Sequence, residues 1–146
     1  QRVAAIVRQA TRHYDEGEYQ AALDRLAILP TGPAQEPDVL NLRGAILTKL
    51  EKYQEAREIF AGVLQEKPGY FPAAFNAGEV EVLQGDHEAA LRTFRGLLDS
   101  EPRNELLRFK IVACELKLGK DDEAQRTAAS LIPAGSTPAW YYAQAL

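Results

Sequence analysis

The sequence has little that would staple it, let it bind a metal or carry it through a bilayer. Among 146 residues there are one cysteine and two histidines. No apolar run approaches the roughly 20 residues needed to cross a membrane, so membrane insertion by this segment is not expected. Cys114 alone can close no internal disulfide. With His13 and His87 distant from it along the chain, it makes no zinc site either, and it reads as a small buried apolar residue. Cations are not in excess. Lys+Arg 17 against Asp+Glu 21 leaves a net charge of −4, and residues four apart on the expected helices mix both signs. That is not the basic stripe a nucleic-acid binder needs to track phosphates. A phosphate-binding glycine loop, a nucleophile elbow and an Asn-x-Ser/Thr acceptor are all missing, so no cofactor, catalytic or metal residue is expected.

The 46% hydrophobic and 26% charged fractions are those of a soluble globular protein, and the length suits one domain with a real core. No charged-then-apolar signal opens the chain. It begins at Gln1 and ends at Leu146 inside a helical pattern, so a fragment or a processed form is expected. The compartment stays open between the cytoplasm and, if an upstream signal was removed, export.

What is present is a period. Gly44 and Gly78, Ala56 and Ala90, Phe60 and Phe94, and Pro68 and Pro102 each stand 34 residues apart. That interval belongs to a helix-turn-helix repeat. Four copies follow in one register, at about 3–36, 37–70, 71–104 and 105–138, and all lie in a single domain spanning 1–146.

In the first copy, Val3, Ile6, Val7, Ala10 and Tyr14 make an amphipathic helix ending near Gly17. Tyr19, Ala22, Leu23, Leu26 and Leu29 make a second, expected to stop at Pro30, with Thr31-Gly32-Pro33 as a turn cluster. The second copy predicts helices over about 38–50 and 53–65. Ala56 is small where the two should cross, and Phe60 fills the space beyond. A glycine inside a helix costs about 1 kcal/mol against alanine, so its recurrence at Gly44 and Gly78 predicts tight packing. The third copy turns at Gly85-Asp86 and places Ala90, Phe94, Leu97 and Leu98 on its second helix. The fourth turns at Gly119 and keeps Ala124, but Val112 and Ala128 replace the glycine and the phenylalanine. Pro133 should end its second helix early. Thr137-Pro138 then starts a capping helix, 139–146, whose Trp140, Tyr141 and Tyr142 would cover the open end of the array.

These residues resemble the tetratricopeptide repeat, most fully through Leu40, Gly44, Tyr53, Ala56, Phe60 and Pro68, and again through Gly78, Ala90, Phe94 and Pro102. The outer copies depart from it: Gln9 and His13 stand at the signature Leu and Tyr places of the first, Arg108 and Glu115 at the signature Trp and Tyr places of the fourth. The resemblance implies an all-α, right-handed solenoid of antiparallel helix pairs. It also implies a non-catalytic role as a protein-interaction scaffold, with the first (A) helix of each pair lining a concave groove for a peptide or domain of another protein. The groove positions so implied are Val7, Thr11 and Tyr14, then Asn41, Ala45 and Thr48, then Phe75, Asn76, Glu79 and Val82, then Phe109, Lys110, Ala113 and Lys117.

Asn41 and Asn76 could bond a peptide backbone with donor and acceptor alike, and Phe75 and Phe109 offer flat apolar anchors. The alternatives are solvated polar surface for the asparagines and packing against neighbouring A helices for the rings. The lysine, arginine and asparagine clamp by which chaperone-binding relatives hold a terminal carboxylate is absent. Only Asn76 and Lys110 match it, and Val7, Thr11 and Leu106 replace the rest. A second reading of the whole is a self-associating or intra-chain assembly module, a homo-oligomer joined through the terminal aromatics. Glu81 and Glu115, 34 apart, are read as ion-paired with residues such as Arg108 or Arg43 rather than as an acid–base couple. His13 and His87 are read as packing or surface residues.

Overall fold

The residues of the period fall on the buried faces of the helices. The computed structural model describes residues 2–131. In it Ala10, Gly44, Gly78 and Val112, spaced by the period, are buried on the first helix of each copy. Ala22, Ala56, Ala90 and Ala124 are buried on the second helices. Only small side chains let two helix backbones approach this closely, and the larger residues one turn on, Leu26, Phe60 and Phe94, are buried beside them.

Nine helices and no strand are present among the described residues. They are α1 (Arg2–Asp15), α2 (Tyr19–Leu26), α3 (Thr31–Ala34), α4 (Pro37–Lys49), α5 (Tyr53–Glu66), α6 (Phe71–Leu83), α7 (His87–Ser100), α8 (Glu105–Lys117) and α9 (Asp121–Ala129). The second copy's helices, α4 and α5, lie within a residue of their expected ends. The chain forms two compact units, Gln1–Val80 and Glu81–Leu146.

In the first unit α1 packs on α2, α2 on α4 and α4 on α5. One cluster there joins Ala10, Ala22, Leu26, Leu29, Val39 and Ile46. A second joins Leu47, Ala56, Phe60 and Val63 to Ala73 and Val80 of α6. Gly44 explains why the copy carries a glycine mid-helix. A Cβ built there would lie 2.4 Å from Cε1 and 2.6 Å from Cζ of Phe60, inside any real contact distance. In the second unit α7 packs on α8 and α8 on α9, and Val112, Ala124, Ala128 and Leu131 form a core flanked by Phe109 and Leu116.

The reversal inside each pair has one design. Gly17, Glu51, Gly85 and Gly119, again one period apart, all take positive φ, at 81°, 61°, 79° and 74°. At each, the amide of the following residue reaches back to the last turn of the preceding helix: Glu18 to the His13 carbonyl, Lys52 to Leu47, Asp86 to Glu81 and Lys120 to Glu115. This is the bond pattern that closes a helix on a left-handed residue, which glycine adopts without penalty. Two later helices are also capped at their starts. Asp86 accepts from the Ala89 amide, and Asn104 accepts from the Leu107 amide, each at 3.1 Å.

Two sequence expectations fail between the first and second copies. The second helix ends at Leu26, a turn before Pro30. Proline restrains the residue before it from the helical region, and the chain leaves the helix through shorter-range bonds, Ile28 to Arg25 and Leu29 to Leu26, that still bury Leu29. Thr31-Gly32-Pro33 is not a turn cluster but most of the one-turn helix α3. Pro33 is tolerated there because the amides of a first helical turn have no intrahelical partner to lose. Pro133, the capping helix 139–146 and its Trp140, Tyr141 and Tyr142 lie outside the described residues, as does any self-association built on those aromatics.

Candidate functional site

The groove residues expected in the first unit sit on α1, α4 and α6. Thr11 is exposed, and its hydroxyl donates to the Val7 carbonyl at 2.9 Å. Val7 and Thr11 border an open depression of about 430 Å3 with Arg8, Arg12, Asp15 and Glu16. Tyr14 is half-buried and meets Tyr19 edge to face, with centroids 5.7 Å apart. On α4, Thr48 donates to the Gly44 carbonyl at 2.8 Å, and Ala45 is half-buried. On α6, Phe75 stacks on Phe71 one turn before it, 5.9 Å between centroids and 18° between planes, while Glu79 is half-buried.

The structure brings one pair of these residues into contact across two helices. Nδ2 of Asn76 donates to Oδ1 of Asn41 at 3.0 Å, with both side chains half-buried. A primary amide carries two donors and an acceptor. After this bond Asn41 keeps its own amide donors and Asn76 keeps its Oδ1, so the pair presents a donor and an acceptor side by side. That is what one peptide unit of an extended chain offers in return. The two asparagines, separate in the sequence by 35 residues, are thus joined to each other.

In the second unit Phe109 packs against the core of Val112, Ala124, Ala128 and Leu131. It leans toward the interior rather than standing free as an anchor. Val82, Lys110 and Ala113 are half-buried and Lys117 is exposed.

The expected ion pairs need correction. Glu115 pairs with neither Arg108 nor Arg43. Nη2 of Arg95, on α7, donates to Oε2 of Glu115 at 2.9 Å and to Oε2 of Glu123 at 2.9 Å. Arg108 instead donates to the Ser130 hydroxyl and to the carbonyl of Pro102, six residues before it. Burial of Arg95 works to lower its pKa, but the hydrogen bonds and charges of Glu115 and Glu123 outweigh it and hold the guanidinium above its usual value. Glu81 accepts from the Thr93 hydroxyl at 2.7 Å, an uncharged partner. The sequence period relates helices of the same kind, and Arg95 lies on a B helix, so comparing A helices alone could not find it.

His13 also has more company than expected. Its Nδ1 lies 2.6 Å from Oε2 of Glu18, and ligand atoms of His13, Glu16 and Glu18 all fall within 4.8 Å of one another. Glu16, three residues beyond His13 at a helix end, was the sequence signal for this cluster. Both carboxylates are exposed. His87 is half-buried, with Nδ1 enclosed and lacking a hydrogen-bond partner among the described residues. Cys114 is buried, as expected. No helix among the described residues is long and apolar enough to cross a membrane.

Two family models, both described as tetratricopeptide repeat, match residues 7–71 and 81–146. No curated protein matches the sequence. Among solved structures, MamA 41-end from Desulfovibrio magneticus RS-1 is 23% identical with a TM-score of 0.76, over 90% of this chain and 76% of that one. A tetratricopeptide repeat protein from Parabacteroides merdae ATCC 43184 is 20% identical with a TM-score of 0.79, over 97% of this chain and 56% of that one. The MamA RS-1 ArsTM double mutant gives 19% identity and a TM-score of 0.77, over 88% and 72%. At such identities the likeness is one of fold.

Proposed function

We propose that this chain, which belongs to the tetratricopeptide repeat family, is a protein-interaction scaffold that holds an extended segment of a partner protein on its A helices, with the Asn41–Asn76 pair as the central grip. The family is one of scaffolds, typically without catalysis of their own. The observation that carries the finer reading is the bond between the two amides. Each side chain fixes the other's rotamer, so the remaining donor and acceptor are held in place before a ligand arrives, and less ordering entropy opposes binding. A peptide backbone satisfies both whatever its side chains. Selectivity would then come from the neighbours: the Phe71–Phe75 stack for an apolar residue, and Thr11, Tyr14, Ala45, Thr48 and Glu79 for the shape and polarity of the rest. Val82, Phe109, Lys110, Ala113 and Lys117 are the corresponding set of the second unit.

A displayed library of random peptides, selected on the immobilised chain, tests this directly. Selected peptides are expected to lose binding by about thirtyfold on Asn41→Ala with Asn76→Ala, the loss of two net hydrogen bonds of about 1 kcal/mol each, while the melting temperature stays within a few degrees. Equal binding by wild type and the double variant would move the site off this face.

A further inference from the structure

Away from the groove positions, the second unit has a pocket whose polar groups are not all satisfied among the described residues. It measures about 480 Å3 and lies among α7, α8 and α9, with Leu98 and Ile111 giving it an apolar wall. Its volume is in the range of small-molecule sites. Three guanidinium groups, of Arg95, Arg108 and Arg126, and two carboxylates, of Glu115 and Glu123, share its lining. Most of these are committed. Arg95 spans the two carboxylates, and Arg108 is directed at Ser130 and the Pro102 carbonyl.

Two groups are left over. The side chain of Glu115 is only 2% exposed, and its second oxygen, Oε1, is enclosed without a hydrogen-bond partner among the described residues. A buried carboxylate oxygen left unpaired is costly, so a site that keeps one is a site that gains by receiving a donor. Arg126 is exposed at the rim, and its guanidinium has no partner among the described residues. Among the lining residues, Glu115 thus keeps an acceptor without a donor and Arg126 a cation without an anion.

We propose that this pocket binds a small zwitterion, an ammonium group and a carboxylate on one compact molecule such as a free amino acid, with Glu115 receiving the ammonium and Arg126 the carboxylate. Inorganic anions answer Arg126 but bring no proton for Oε1. Simple amines answer Glu115 but enter a lining that carries one more positive than negative charge. Only a molecule bearing both groups meets both needs, and its side chain would lie on Leu98 and Ile111. The site is separate from the A-helix positions proposed to hold a partner, so the two readings stand or fall apart.

The test is titration of the isotopically labelled full chain with each of the twenty L-amino acids, followed by amide chemical shifts, alongside the N-acetylated and the carboxamide form of any that binds. At least one free amino acid is expected to shift resonances of α8 and α9 saturably below roughly 10 mM, and blocking either end should weaken it at least about tenfold, the worth of one charge-assisted hydrogen bond. Arg126→Ala, a change at an exposed side chain without partners among the described residues, should weaken it as much while leaving the fold intact. Glu115→Gln should abolish the preference for a free ammonium. No saturable shift with any amino acid, equal binding by the N-acetylated form, or unchanged affinity in Arg126→Ala would each overturn the proposal.

Discussion

Replacing Gly44 with alanine sets two physical preferences against each other, and the structure says which prevails. Alanine is the better helix former by about 1 kcal/mol, so in an open helical position the change stabilises. At Gly44 the new methyl would stand 2.4 Å and 2.6 Å from two ring atoms of Phe60. Phe60 has no exposed surface and no free direction in which to swing, so α4 and α5 must part or the ring must leave its rotamer. Overpacking of this kind costs about 1 to 3 kcal/mol. The net expectation is a loss of about 1 kcal/mol, a few degrees in melting temperature for a chain of this size.

Gly62 supplies the control, since it lies on α5 with nothing within 4 Å of a built Cβ. Gly62→Ala should therefore raise stability by up to about 1 kcal/mol, and the difference between the two substitutions isolates the steric cost. Urea unfolding of both variants measures it. Repeating Gly44→Ala in a Phe60→Leu background completes a double-mutant cycle, where the cost should shrink. If the two alanines shift the midpoint alike, or if the cost is the same with leucine at 60, the close approach of Gly44 and Phe60 does not set the packing of this pair.

Four further changes have expected outcomes. Glu51→Gly should stabilise by about 1 kcal/mol, because Glu51 holds a φ of 61° that costs an L side chain roughly that much; thermal unfolding would show it as a rise. Asn104→Ala removes the acceptor of the Leu107 amide at the start of α8 and should cost about 1 kcal/mol, measured by denaturant midpoint. Arg95→Ala strips the buried Glu115 of its cation. Because Arg95 is itself 46% exposed, about 1 to 3 kcal/mol is expected rather than the larger loss of a fully buried pair, and Glu123→Gln should cost well under 1 in the same assay.

The helix pairs were legible because their signal is steric and repeats. Gly44, Ala56 and Phe60 are chosen by how closely two helices approach, and that constraint recurs with the period. The chain between Leu26 and Pro37 was less legible. There the competition is between a proline's restraint on its neighbour and a few short-range bonds, differences too small to read from residue types. For the polar groups the sequence showed identity without partnership. Asn41 and Asn76 are recognisable one by one as groove positions, yet their mutual bond depends on the register of α4 beside α6. Glu115 was recognised as out of place in the family's pattern, but its partner Arg95 came from a helix of the other kind. His13 has Glu16 three residues on in the sequence, but the converging Glu18 is brought in only by the turn at Gly17.

That turn recurs at Glu51, Gly85 and Gly119, and it gives the array a way to drift without losing count. The fourth copy has exchanged its glycine for Val112, its tyrosine for Glu115 and its phenylalanine for Ala128, yet α8 and α9 still reverse at the same place. What holds the phase is backbone handedness at a single residue, which needs no matching partner elsewhere. Side chains on either side are thereby released to diverge: Glu81 and Glu115 hold the same place in successive copies, yet one accepts from the Thr93 hydroxyl and the other pairs with Arg95.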